Sequence, residues 1–135
     1  PGVDPVVGEL IRASGSLPAW RLAADITELK RLQRNTVRVW EHVDVLVVPS
    51  VPRLLTVAQT VGNVRASSAR LGTYTNFVNL LDLCALTIPA PPELGVPADP
   101  AGPPTSVTLI GPAGTDHRLV RVARSLGTPA SPRTR

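Results

Sequence analysis

At 135 residues and 43% hydrophobic content the chain is long enough for one domain with a core, or for part of one. A net charge of +4 invites nucleic acid, but the basic residues are scattered and aromatics make up only 3%, leaving almost no platform for stacking bases; nucleic-acid binding is disfavoured. A single cysteine rules out an internal disulfide and no apolar run reaches the ~20 residues of a membrane span, so a cytoplasmic chain with no membrane partner is expected.

Asp4-Pro5 opens the first element, Asp as N-cap and Pro at the first helical position. Val6, Val7, Leu10 and Ile11 then form one apolar stripe that ends near Gly15. Ser16-Leu17-Pro18 punctuates. Beyond it Trp20, Leu22, Ile26, Leu29, Val37, Trp40 and Val43 track a helical face, which predicts one long helix from about Pro18 to His42. Arg21, Lys30, Arg31, Arg34 and Arg38 fall on its other faces, the pattern of a solvated side more often than of a docking patch. His42 has no cysteine or second histidine near it in sequence, so no metal site is expected.

Val43–Val48, read VDVLVV, has no polar face at its apolar end, and predicts a strand buried on both sides, as in a parallel or mixed sheet. Thr56–Arg70 has loosely helical valines interrupted by Gly62-Asn63 and is read as a loop or broken turn. The chain then turns to a dense apolar run from Arg70 to Ala90, RLGTYTNFVNLLDLCALTIPA. Tyr74, Phe77, Val78 and Leu81 share a helical face, whereas Leu86-Thr87-Ile88 before Pro89 suits a strand; Asp82-Leu83-Cys84 must turn the chain between them. Asn76 and Asn79 are amides on or beside that apolar helix, and they are either satisfied structurally or face a polar pocket. Cys84, among Leu83, Ala85 and Leu86, reads as a buried thiol packing as a small hydrophobe.

Residues 91–104, PPELGVPADPAGPP, predict a proline-rich surface loop through which no strand ladder can run. Ser106–Ile110 reads as another buried strand. A last helix follows, capped by Thr115 or Asp116, with Leu119, Val122, Ala123 and Leu126 on one face and Gly127 at its end. His117 in its first turn is expected to face solvent. Residues 128–135 are expected to be a disordered tail.

The run at 70–90 resembles the C-terminal part of the amidase signature family, in wording most like its allophanate hydrolase branch. The flanks WEHVDVLVVPSVP (Trp40–Pro52) and SVTLIGPAGTD (Ser106–Asp116) are similar to the segments that bracket this run there. The resemblance implies an α/β fold in which residues 1–127 form the C-terminal portion of a mixed-sheet amidase domain, incomplete on its own. It also implies amide C–N hydrolysis with release of ammonia, by an activated serine, a second serine in a cis peptide and a lysine, without metal or organic cofactor.

Those catalytic residues find no match here. The one lysine, Lys30, lies in a helical pattern, and Ser67-Ser68 lacks the glycines an oxyanion loop needs. No residue of this chain is therefore assigned as catalytic, and the chain alone is expected to be inactive. Its partner is expected to be the N-terminal half of the amidase domain, and a small amide is a substrate only of the parent; oligomeric state is open. The chain begins at Pro1 and contains no methionine, so its start reads as a processed end, an internal cut or an artefact.

By analogy with the family, Arg70, Tyr74, Asn76 and Asn79 are the candidate pocket-lining residues. Arg70 and Tyr74 are chemically suited to hold a carboxylate, the alternative being a structural pairing for Arg70 and packing for Tyr74. After Ser50 the resemblance breaks, since Arg53-Leu54-Leu55 stands where the family has a tyrosine-containing stretch, and support for a substrate contact from this loop is withdrawn. The alternative reading is a non-catalytic remnant or interaction protein that binds through an exposed sheet edge or apolar helix faces.

Overall fold

A computed structural model describes residues 2–91, 94 and 105–127. The expected loop at 91–104 and tail at 128–135 fall, except for Pro91 and Leu94, outside the described residues. In chain order the elements are α1 (Pro5–Ser14), α2 (Ala19–Val37) with a 3-10 turn at Arg38–Glu41, β1 (Leu46–Pro49), α3 (Val57–Gly62), α4 (Val64–Leu71), α5 (Phe77–Leu80), β2 (Leu83–Pro89), β3 (Ser106–Pro112) and α6 (Asp116–Gly127).

The first helix is held as its sequence predicts: the backbone N–H groups of Val6 and Val7 donate to the Asp4 carboxylate at 2.9 and 3.3 Å. The long helix also forms, tightening into its 3-10 turn before His42. Its C-terminal half is tied to α5 by the Gln33 side-chain amide, which donates to the Leu80 carbonyl at 2.9 Å. The segment read as a loop or broken turn is two helices. Thr56 and Gln59 make a reciprocal capping box at the start of α3, and the Asn63 side chain accepts from the Ala66 N–H to start α4. The break at Gly62-Asn63 is real, but helix resumes at once because Asn63 is itself a cap.

The strands form one antiparallel sheet in the order β1-β3-β2. Leu46 pairs with Ile110 and Val48 with Thr108 on one side of β3; Leu86 pairs with Leu109 and Thr87 with Thr108 on the other. β1 is not buried on both sides: it is an edge strand, and Val47 is 45% exposed. Helix α6 packs on β2 and β3. The central strand carries the core. Val107, Thr108, Leu109 and Ile110 are buried, with Leu119 of α6 and Val78 of α5 against the sheet. Alternation along β3 puts Val107, Leu109 and Gly111 on the α6 face and Thr108 and Ile110 on the opposite one.

The turn between α5 and β2 lies earlier than the sequence suggested. Leu83 and Cys84 are already in the strand, and the chain reverses at Leu81-Asp82. Asp82 has φ +54°, a left-handed conformation that aspartate tolerates better than most residues and β-branched residues tolerate worst. Asp82→Val is therefore expected to lower stability by roughly 1–2 kcal/mol, while Asp82→Gly leaves it equal or higher; urea midpoints compared at constant m-value check the pair. Helix α5 is also shorter than predicted. Val78 is buried and Phe77 and Leu81 are half-buried, but Tyr74 precedes the helix and is exposed.

Two polar links fasten the last helix. Arg118 donates to Asp44 at 2.9 Å, joining α6 to the residues before β1, an exposed pair worth about 0–1 kcal/mol. The Cys84 thiol is half-buried and donates to the Pro112 carbonyl at 3.1 Å at the foot of α6, so it is less enclosed than its apolar neighbours in sequence suggested. Among the described residues no helix is long and apolar enough to cross a membrane.

Candidate functional site

The sheet face opposite α6 is polar at its centre. Thr87 and Thr108 sit side by side in β2 and β3, and the Ser50 hydroxyl lies just beyond the end of β1, with its backbone N–H donating to the Ser106 carbonyl at 3.3 Å. Helix α5 and the turn before it close the other wall. Together Ser50, Thr75, Asn76, Val78, Asn79, Ala85, Thr87 and Thr108 line an open groove of about 430 Å³. None of these residues is charged.

Both candidate asparagines lie in this groove. Asn76 is placed by a close approach: its side-chain amide lies against Gly72 where any Cβ would collide with it. Both residues are exposed, and no hydrogen bond of either side chain is seen among the described residues. Arg70 is elsewhere. It lines a cleft of about 310 Å³ with Pro52, Arg53, Leu55, Leu71 and Thr73, where two guanidinium groups give a cationic rim. Tyr74 lines neither the groove nor this cleft. The predicted set thus divides between the groove, which holds the two amides, and a separate cleft, which holds Arg70.

Three groove residues escaped the sequence reading. Thr87 and Thr108 were seen only as strand formers, and Ser50 sat in a loop whose departure from the family pattern had withdrawn support. A threonine centred in an apolar strand is the one signal that was available, because a buried hydroxyl requires a partner. Ser67 is buried and donates to the Gln59 carbonyl at 3.1 Å, a role within the α3–α4 pair. A third cleft of about 390 Å³ lies between α2 and the Asp82 turn, lined in part by Gln33, Arg34, Trp40 and Asp82. On the exposed face of α2 the Arg31 guanidinium, by hydrogen-bonding Glu28, holds that carboxyl below its ordinary value.

The Amidase family model matches residues 8–120. The urea amidolyase of Saccharomyces cerevisiae is 36% identical over 121 residues, covering 90% of this chain and 6% of that protein; that of Lachancea kluyveri is 31% identical with the same coverage. The 2-amino-5-chloromuconic acid deaminase of Comamonas testosteroni is 29% identical over 125 residues, of which the chain spans 26% of the length. A solved structure of Kluyveromyces lactis allophanate hydrolase superposes with a TM-score of 0.80 at 27% identity, covering 98% of this chain and 21% of that one. The chain thus spans a quarter or less of most of these relatives. With a family match over most of its length and a shared arrangement of helices and strands, the chain belongs to the amidase family and resembles its allophanate hydrolase branch.

Proposed function

We propose that this chain is the C-terminal part of an amidase domain that hydrolyses a C–N amide bond and releases ammonia, with allophanate as the substrate the resemblance favours. The observation that carries this reading is the match of 98% of the chain to an allophanate hydrolase structure. Chemically, an activated serine attacks the amide carbonyl, ammonia leaves, and water hydrolyses the acyl-enzyme. The serine and lysine for those steps belong to parts of the fold outside this sequence. What the chain supplies in this reading is part of a pocket wall, with Asn76 and Asn79 as neutral hydrogen-bonding groups in the groove, while Arg70 offers its cation in the separate cleft and Tyr74 stands outside both. The setting is the cytosol, and no metal or organic cofactor takes part.

The purified 135-residue chain is expected to release no ammonia from allophanate, whereas a polypeptide that adds the serine- and lysine-bearing portion does. Ammonia assayed from both, side by side, checks this. Release by the short chain would overturn the division of labour, and silence from the long one would overturn the amidase reading.

One observation favours a second reading, a non-catalytic protein that binds a partner. Helices α1, α2 and α3 bury no residue at all, and Trp20, Val57 and Val61 are at least 70% exposed. Faces of that kind need a cover. In the amidase reading the cover is the rest of the domain, so adding that portion is expected to raise the urea midpoint of this chain; an unchanged midpoint would favour the second.

A further inference from the structure

The loop after β1 and the end of α4 bring two arginines to one place. Clefts of about 310 and 260 Å³ meet at Arg53, Leu55 and Arg70, so the same two guanidinium groups border both. Each arginine sits on an anchored element. Arg53 follows Ser50, the end of a hydroxyl chain in which Thr108 meets Thr87 Oγ1 and donates to Ser50 Oγ, each at 2.9 Å. Arg70 lies in the last turn of a helix whose buried Ser67 donates to the Gln59 carbonyl of α3 at 3.1 Å. No acidic group answers them. Residues 45–81 contain Arg53, Arg65 and Arg70 and neither aspartate nor glutamate, and among the described residues no carboxylate lines either cleft or pairs with Arg53 or Arg70. The C-terminal end of α4 accounts for a cation at Arg70, but not for one at Arg53.

Two cations that share a cleft repel each other, and an anion bound by both removes that cost. Each guanidinium presents a planar fork of N–H donors, and one carboxylate, with its two oxygens, is matched by a single fork. A phosphate monoester carries about two charges and three strong acceptor oxygens, enough for both forks. Its organic part has a place as well, since Pro52, Leu55 and Leu71 give the larger cleft an apolar lining. Nucleic acid is the poorer match, because among the described residues no aromatic ring lines either cleft for a base to stack on. We infer that the Arg53–Arg70 cleft is a binding site for a small phosphate monoester with an apolar body. It shares no lining residue with the polar groove, so it is a second site, and it does not rest on the amidase reading.

Phenyl phosphate, benzoate and inorganic phosphate are titrated separately into isotope-labelled 135-residue chain at about 0.15 M salt, where diffuse attraction to a positive chain is screened. The backbone amide signals of residues 53, 70 and 73 are the readout. Phenyl phosphate is expected to bind roughly tenfold more tightly than benzoate, which keeps the ring but has one charge, and more tightly than inorganic phosphate, which keeps the charge but has no ring. Arg53→Gln and Arg70→Gln are each expected to weaken phenyl phosphate roughly tenfold or more, the change for one lost charge-assisted hydrogen bond, whereas Arg65→Gln, outside both clefts, leaves it unchanged. Arg70→Lys, which keeps the charge and loses the fork, is expected to fall between the unsubstituted chain and Arg70→Gln. Equal affinity for benzoate or for inorganic phosphate, no response to phenyl phosphate, unchanged affinity in either glutamine variant of the cleft, or an equal loss in Arg65→Gln would each overturn the inference. The titration is repeated in the polypeptide that adds the serine- and lysine-bearing portion, where the same signals are expected to move. Loss of binding there would overturn the inference too, by showing the cleft to be a seam inside the domain. None of these readouts depends on ammonia release, so the amidase reading stands or falls separately.

Discussion

Leu109→Ala is expected to lower the stability of the chain by about 2–5 kcal/mol and to abolish its cooperative urea transition. Leu109 is fully buried in the central strand, paired with Val47 and Leu86, on the face covered by α6. Truncation removes its transfer energy and leaves a cavity that two flanking strands prevent from collapsing. The penalty falls on a small core. The other buried hydrophobics among the described residues are Val78, Val107, Ile110 and Leu119, and whole faces of the helices remain uncovered. A loss of that size is comparable to the full stability of many domains. Val47→Ala, on the same face but 45% exposed, is the internal control, expected to change stability by less than about 1.5 kcal/mol. A similar loss in both would mean that β3 is not the centre of the core.

Gly111→Val is the second large effect, and it works by crowding. A Cβ at Gly111 would sit 2.8 Å from Thr115 Oγ1 and 3.2 Å from Leu119 Cδ2, inside the distances that side chains normally keep. Neither neighbour is free to retreat: Thr115 Oγ1 donates to the Pro112 carbonyl at 2.7 Å, and Leu119 is 1% exposed. The helix must lift from the sheet, at an expected cost of about 1–3 kcal/mol or more. Gly111→Ala should cost less than valine, and adding Thr115→Ala should recover part of the alanine penalty, since the nearer obstacle is gone. Urea midpoints of the two single variants and the double give the coupling directly. Purely additive values would place the strain elsewhere.

Much of the fold was readable from residues whose effect is local. Asp4-Pro5 announces α1, and the spacing of Leu119, Val122, Ala123 and Leu126 announces α6, because caps and helical stripes are written within a few positions. The Thr56–Gln59 capping box was equally local and was overlooked in favour of Gly62-Asn63, which ends one helix while starting another. The exposure of Val47 could not be read in the same way. A β-branched run states that a strand forms, but whether it lies at a centre or an edge depends on a partner sixty residues on. The groove shows the same division. Asn76 and Asn79 stood out as amides in apolar surroundings, whereas the hydroxyl chain joins residues 21 and 58 positions apart and exists only once the register of three strands is set.

The position of β3 also orders events in time. Among the described residues it is the last strand, and β1 and β2 pair with it but not with each other. During synthesis the polypeptide through Ala90 therefore contains two strands that are not partners in the final sheet, while the helices, whose contacts are short in sequence, can already form. Every ladder in the sheet appears together when residues 106–112 emerge, and each closes a long loop as it does so. Until that moment β1 and β2 lack their partner strand, the condition under which partly made chains tend to aggregate.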